Sequence, residues 1–171
     1  MNRRSPEIIV QPFTGNYQPG VIDLILNMQQ NEFNIPITAD DQPDLKTIPA
    51  FYQKNKGNFW IALDGEKVVG TISLLDIGND QTALRKMFVD KNYRGTDIGT
   101  AGKLLKILLN WAEEQQIREI YLGTTPKFLA AHRFYEKTGF TEISKNDLPK
   151  NFPIMKVDTK FYKYECFLGQ T

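Results

Sequence analysis

One junction constrains this chain more than any other. Thr82 to Val89 reads as a strand, Asp90-Lys91-Asn92-Tyr93-Arg94-Gly95 as a loop, and the next stretch as a helix with apolar residues at Ile98, Ala101, Leu104, Leu105, Leu108, Leu109 and Ala112. That helical spacing makes one continuous apolar stripe, which needs a sheet or another helix to cover it. The sheet is predicted on both sides of the junction. Before it, Phe59 to Leu63 and Val68 to Leu75 flank the hairpin signal Asp64-Gly65, and Gly78-Asn79-Asp80 marks a second turn. After it come a short strand from Glu119 to Leu122 and a helix from Phe128 to Thr138 closed by Gly139. Two last strands follow, Phe140 to Ile143 and Lys160 to Phe167, around a polar loop with Pro149 and Pro153. The N-terminal third supplies a strand from Glu7 to Phe13 and a helix with a stripe through Val21, Ile22, Leu24, Ile25, Met28 and Phe33. A loop from Asn34 to Pro43 leads to a second helix, capped by Asp44, through Leu45, Ile48, Phe51 and Tyr52. The order β-α-α-β-β-β-α-β-α-β-β predicts an α/β (α+β) fold in one domain.

Composition sets outer limits. At 171 residues, 41% of them hydrophobic, the chain suits one domain with a sizeable core. Lys and Arg number 21 against 20 acidic residues, for a net charge of +1, so no basic excess points to nucleic acid. The longest apolar run, Phe59-Trp60-Ile61-Ala62-Leu63, is far short of the ~20 residues needed to span a bilayer. The start, Met1 to Glu7, lacks the apolar segment of a signal peptide. The expectation is a soluble cytoplasmic protein without nucleic-acid or membrane partners, with a homodimer left open. One cysteine and one histidine exclude an intrachain disulfide and leave no metal-ligand cluster.

The junction also has chemical potential. The first turn of a helix leaves backbone N–H groups unpaired, and the helix dipole adds positive charge there. With Gly95 and Gly99 allowing close backbone approach, such a turn suits a phosphate or pyrophosphate; it equally suits a plain strand-to-helix connection. The glycines at 95, 99 and 102 do not spell G-x-G-x-x-G. Nor is this a Walker A loop, since Leu104 follows Gly102-Lys103 and Asp97 stands where the first glycine is required.

Tyr93-Arg94-Gly95-Thr96-Asp97-Ile98-Gly99-Thr100 resembles motif A, [QR]-x-x-G-x-[GA], of the GNAT superfamily of acyl-CoA-dependent N-acetyltransferases. Ala131-His132-Arg133-Phe134-Tyr135-Glu136-Lys137-Thr138-Gly139-Phe140 is similar to the family's A-x-x-[FL]-Y-E-K-x-G-F segment, and the element order agrees from Glu7 to Phe167. The resemblance implies a GNAT domain over residues 7–168, with a central mixed, mostly antiparallel sheet that parts between the strand ending near Val89 and the one starting near Glu119. Acetyl-CoA would wedge into that gap as co-substrate, and no metal is implied. Arg94 and the backbone amides of Gly95, Thr96, Asp97, Ile98, Gly99 and Thr100 would cradle its pyrophosphate. Phe88 and Val89 would pair with the pantetheine arm, Tyr135 would sit near the thioester sulfur as catalytic acid, and Phe134 and Lys137 would line the groove. Two positions depart from the pattern. Asp97 replaces a glycine and puts a carboxylate by the pyrophosphate, unless it caps free amides instead. Phe128 replaces a common asparagine, which passes its polar contact to Thr124 or Thr125.

The implied activity is acetyl transfer to a primary amine, on a small molecule or peptide, by direct attack, with oxyanion stabilisation from an amide of Met87-Phe88-Val89. The acceptor site would be built by Asn27 to Asp40, the strand around Leu74-Asp76 and the loop Lys145 to Lys156. Glu32, Asp76 and Glu142 are the candidate bases. His132 reads as a half-exposed helical residue, Cys166 as packing, and Lys103 and Lys106 as a solvated face within reach of a 3′-phosphate. A non-catalytic acyl-CoA-binding or sensing domain is the alternative; a nucleic-acid-binding module is disfavoured by the charge balance.

Overall fold

The computed structural model describes residues 7–95, 97–125 and 128–166. Thr96, assigned above to the pyrophosphate, Phe167 at the end of the expected last strand and position 168 at the end of the expected domain lie outside the described residues. The strands are β1 (Ile8–Pro12), β2 (Asn58–Asp64), β3 (Lys67–Gly78), β4 (Gln81–Val89), β5 (Glu119–Thr124), β6 (Thr141–Ile143) and β7 (Lys160–Glu165). The helices are α1 (Gln18–Asn27), α2 (Ile48–Phe51), α3 (Thr100–Glu114) and α4 (Leu129–Lys137). The order matches the sequence expectation. The described strands form one sheet, β1-β2-β3-β4-β5-β7-β6, in which only β4 and β5 run parallel.

Each face of the sheet is covered by helices. The α3 stripe buries Leu104, Leu105, Leu108 and Ala112 beside Trp60, Ile72, Leu84, Ile120 and Leu122, and α4 adds Tyr135 to the same core. Gly70 on β3 lets α3 approach closely, because a Cβ there would sit 3.0 Å from a Leu104 methyl. The opposite face carries Val21, Leu24 and Ile25 of α1 with Ile48, Tyr52, Phe59 and Phe88. Further along that face, Ala83 and Tyr121 pack beneath Phe152 of the β6–β7 connection.

The expected second helix is broken. Pro43–Lys46 forms a 3₁₀ turn and α2 is four residues long. Pro49 lacks the N–H that a continuous helix would donate, and its ring opposes the Leu45 carbonyl. Asp44 does not cap; its buried carboxylate accepts the Tyr52 hydroxyl and pairs with Lys86. The first helix is also shorter than its stripe, passing into a π-turn over Met28–Glu32.

Leu104 is fully buried where α3 meets β3. Leu104→Ala is expected to cost about 2–5 kcal/mol in urea unfolding, with an unchanged far-UV spectrum. A loss below about 1 kcal/mol would show that this contact does not anchor α3.

Candidate active site

The site starts where two strands part. β4 and β5 pair only through Gln81–Glu119, Thr82–Ile120 and Ala83–Tyr121, although β4 runs on to Val89 and β5 to Thr124. Beyond Ala83, β4 keeps its partner β3 on one side and pairs with no strand on the other among the described residues. This is the gap expected between Val89 and Glu119.

A bulge shapes β4 at the opening. Thr71 pairs with Phe88 and Ser73 with Arg85, so β4 carries one residue more than β3 here, and Lys86 has a φ of +56°. The Thr71 and Ser73 hydroxyls donate to the Lys86 and Arg85 carbonyls at 2.6 and 2.7 Å and hold the bulge. Two successive cationic side chains then turn to the α1–α2 face. Lys86 donates to Gln42 at 2.5 Å and lies 3.7 Å from Asp44. Burial pulls the Lys86 pKa down to about 8, against the opposing pull of Asp44. The Arg85 guanidinium lies over the Phe51 and Tyr52 rings, 5.6 and 5.9 Å from their centroids.

The loop from β4 into α3 turns on two glycines, and the Gly99 amide, expected on a pyrophosphate, donates instead to the Gly95 carbonyl at 3.0 Å. Gly95 and Gly99 have φ of +103° and +71°, and Gly99 is the left-handed residue from which α3 departs. No side chain caps the helix, so Asp97, which is exposed, does not serve as its cap. Thr100, the first residue of α3, is buried, and among the described residues its hydroxyl has no hydrogen-bond partner. Buried polar atoms are rarely left so, and an orphaned hydroxyl at a helix N-terminus fits an absent anion. Ile98 is half-buried against the core. Arg94 points elsewhere: its Nε donates to the Val89 carbonyl at 2.8 Å, and its two terminal nitrogens donate to the Glu32 carboxylate at 2.6 and 2.7 Å. The guanidinium expected on a pyrophosphate is thus held by an acidic side chain from the segment after α1. The Val89 carbonyl is engaged as well, while Phe88 is buried with its ring against Phe128.

Across the gap, α4 brings Tyr135 into the core with its ring against Phe140 and Tyr162. Burial pushes its pKa up, so the phenol stays protonated, and no hydrogen bond engages its hydroxyl among the described residues. Phe134 is half-buried beside it, and Lys137 is exposed. His132 is not half-exposed as expected: it is buried, and its Nε2 lies 3.0 Å from the Thr125 carbonyl. Thr124 is buried at the end of β5, and its carbonyl accepts the Thr159 amide. Phe128, in place of the polar residue, packs edge-on against Phe33 and Phe88. Burial raises the Cys166 pKa to about 11, which suits packing and not nucleophilic chemistry. Lys103 donates to the Ile8 carbonyl at 3.1 Å and so ties α3 to β1.

None of the three candidate bases stands free in the cleft. Glu32 holds Arg94, Asp76 accepts the Lys56 and Gly78 amides, and Glu142 pairs with Lys160 on the surface. The acid that the structure does place there is Asp158, which sequence reasoning missed. It lies half-buried over Gly123 of β5, and burial raises its pKa while the Met155 amide and the Arg85 charge oppose the rise. Its only sequence signal is its place in the loop before β7, opposite a glycine.

A sequence-family model described as the acetyltransferase (GNAT) family matches residues 22–140. This chain belongs to the GNAT acetyltransferases. A GNAT-family acetyltransferase from Staphylococcus aureus Mu50 shares 42% identity over 94% of this chain and all of that one, with a TM-score of 0.89. N-acetylaspartate synthetase of Xenopus tropicalis is 38% identical over 102 residues, 58% of this chain; the match spans only 37% of that relative's length. PaiA N-acetyltransferase from Thermoplasma acidophilum, crystallised in complex with coenzyme A, has the same fold with a TM-score of 0.69 and 14% identity, over 93% of this chain and 99% of that one.

To meet a pyrophosphate, Arg94 of this GNAT acetyltransferase would have to leave Glu32. Arg94→Ala is expected to weaken acetyl-CoA binding by about 1.5–3 kcal/mol, and acetyl-pantetheine binding by less. Glu32→Gln, which frees the guanidinium, is expected to tighten acetyl-CoA by up to about 1 kcal/mol. Calorimetry with both thioesters checks this. Equal losses for the two would make Arg94 structural.

Proposed function

We propose that the protein transfers the acetyl group of acetyl-CoA to a primary amine by direct attack. The observation that carries this is the free flank of β4, from its last pair with β5 at Ala83 to the Gly95–Gly99 turn. An extended pantetheine arm can lie along that flank as an added strand, with its diphosphate at the start of α3. The Thr100 hydroxyl, without a partner among the described residues, the open space around Gly95 and the nearby charge of Arg94 fit that end. Phe88 and Val89 border the arm, with Thr124 and Phe134 across the gap; the exposed Lys137 stands at the rim.

In the reaction the amine nitrogen attacks the thioester carbonyl carbon, and the C–N bond forms as the carbonyl electrons move to oxygen. A backbone amide of Met87-Phe88-Val89 stabilises that oxyanion. Collapse breaks the C–S bond, and the thiolate takes a proton. The Tyr135 phenol on α4, protonated and without a hydrogen-bond partner among the described residues, would donate it. The acceptor approaches from the face carrying α1, α2 and the β6–β7 connection. The relative named N-acetylaspartate synthetase puts L-aspartate among the amines to test.

Acetyl-CoA is expected to raise the melting temperature, and NAD and ATP to raise it much less. Transfer from acetyl-CoA, followed by release of free thiol over an amine panel, should occur with at least one amine. Equal thermal shifts from all three ligands overturn the co-substrate assignment, and binding without transfer overturns catalysis. Tyr135→Phe keeps the ring and its packing, so folding and acetyl-CoA affinity should hold while single-turnover transfer slows on the order of 10²–10⁴-fold. A normal rate in this variant removes Tyr135 from the chemistry.

A further inference from the structure

Arg85 makes no ion pair among the described residues, although its charge reaches the Asp158 carboxylate. Among the described residues no carboxylate lies within 4.0 Å of its guanidinium, and its only polar side-chain contact is the Met155 sulfur at 3.7 Å. Its other neighbours are the faces of Phe51 and Tyr52. The adjacent Lys86 is differently placed, since Asp44 and Gln42 serve it. Asp44 also accepts the Tyr52 hydroxyl, so the bulge's acid is fully engaged by groups other than Arg85. A half-buried guanidinium is costly unless something answers its charge. Its planar fork matches a carboxylate, to which it can donate two parallel hydrogen bonds.

Its place gives that fork a purpose. Arg85 stands two residues beyond Ala83, where β4 last touches β5, and therefore on the same face as Ala83. On β5 the equivalent step from Tyr121 leads to Gly123. A Cβ at Gly123 would lie 2.5 Å from an Asp158 carboxylate oxygen, so Asp158 occupies the space a side chain there would fill. Asp158 accepts the Met155 amide at 3.0 Å and makes no ion pair with Arg85. A guanidinium and a carboxylate thus stand on the two strands at one level past the parting, facing the same side of the sheet, with Met155 next to both.

We propose that Arg85 binds a carboxylate of the acceptor and Asp158 its amino group, so that the substrate is a small amino acid. This rests on the acetyl-transfer reading above. The nitrogen forms its bond to the acetyl carbon, the C–S bond breaks, and the proton shed by nitrogen passes to Asp158. A carboxylate buried against β5, its proton affinity raised by burial, is suited to take that proton.

The test is steady-state acetyl transfer by the full chain to glycine, β-alanine and L-aspartate, each against its carboxamide. The best acid should exceed its amide in kcat/KM by about 10- to 100-fold, the range for losing a charged hydrogen-bonded pair. Arg85→Met should raise KM for the acid by a similar factor and change KM for the carboxamide much less. Arg85→Lys should recover part of the loss. Asp158→Asn should lower kcat for acid and amide alike, by about 100-fold or more. Stabilisation by acetyl-CoA, unchanged in all three variants, shows that fold and co-substrate binding are intact. Equal rates for acids and amides, or equal losses for both in Arg85→Met, overturn the proposal. Failure of the wild-type chain to acetylate any amine overturns the acetyl-transfer reading instead, and this proposal with it.

Discussion

Everything at the site depends on three residue pairs. Gln81, Thr82 and Ala83 hold β4 to β5, and past Ala83 the pairing stops while both strands continue. Past that point the bulge at Lys86 bends β4 away, while β5 continues along β7 on its other edge. Backbone groups on the parted flank are therefore left for something other than a strand. The covered faces keep the opening from collapsing: α3 is packed on one side through Leu104 and Leu108, and Phe88 and Tyr52 fill the other. The cleft is a consequence of sheet register fixed elsewhere in the molecule.

The sequence made the elements legible because their signals are local. The α3 stripe, the turns at Gly65 and Gly78 and the glycine loop that opens α3 each declare themselves within a few residues, and all are observed. The resemblance located the gap and the loop that feeds α3. What could not be read is what depends on register between distant segments. The bulge comes from offset pairing of Thr71–Phe88 and Ser73–Arg85, and nothing in Leu84-Arg85-Lys86-Met87 announces it. Asp158 matters because Gly123, far away in sequence, leaves room for it. The fragmented second helix was half visible, for Pro49 was there to see, but Asp44 looked like a cap because its partner Lys86 lies on another element.

The two cationic residues of the bulge show how neighbours in sequence acquire different duties. Lys86 carries a compact ammonium into a buried polar network of Gln42, Gln29, Asp44 and Tyr52, and that network ties the segment after α1 to the sheet. Removing one member would strand the others without water or partner, which is the costly way to break buried polar groups. Arg85, one residue earlier, meets aromatic faces and a thioether. Those contacts leave the guanidinium without an acid at ion-pair distance among the described residues, as a ligand site requires and a structural ion pair does not.

The Glu32–Arg94 pair joins the two halves of the site. Glu32 closes the π-turn after α1, on the acceptor side, and Arg94 lies in the loop that opens α3. The pair is bidentate yet partly exposed, its side chains 37% and 26% accessible, so water screens it and its net worth is about 0–1 kcal/mol. A pyrophosphate carries more charge than one carboxylate and would meet the helix dipole and the Thr100 hydroxyl as well, so it can compete for Arg94 at small cost. Release of Glu32 then leaves an uncompensated carboxylate at the edge of the acceptor segment. Co-substrate binding would in this way alter the charge the acceptor meets, and by linkage an acceptor sensitive to Glu32 must alter co-substrate affinity by the same factor.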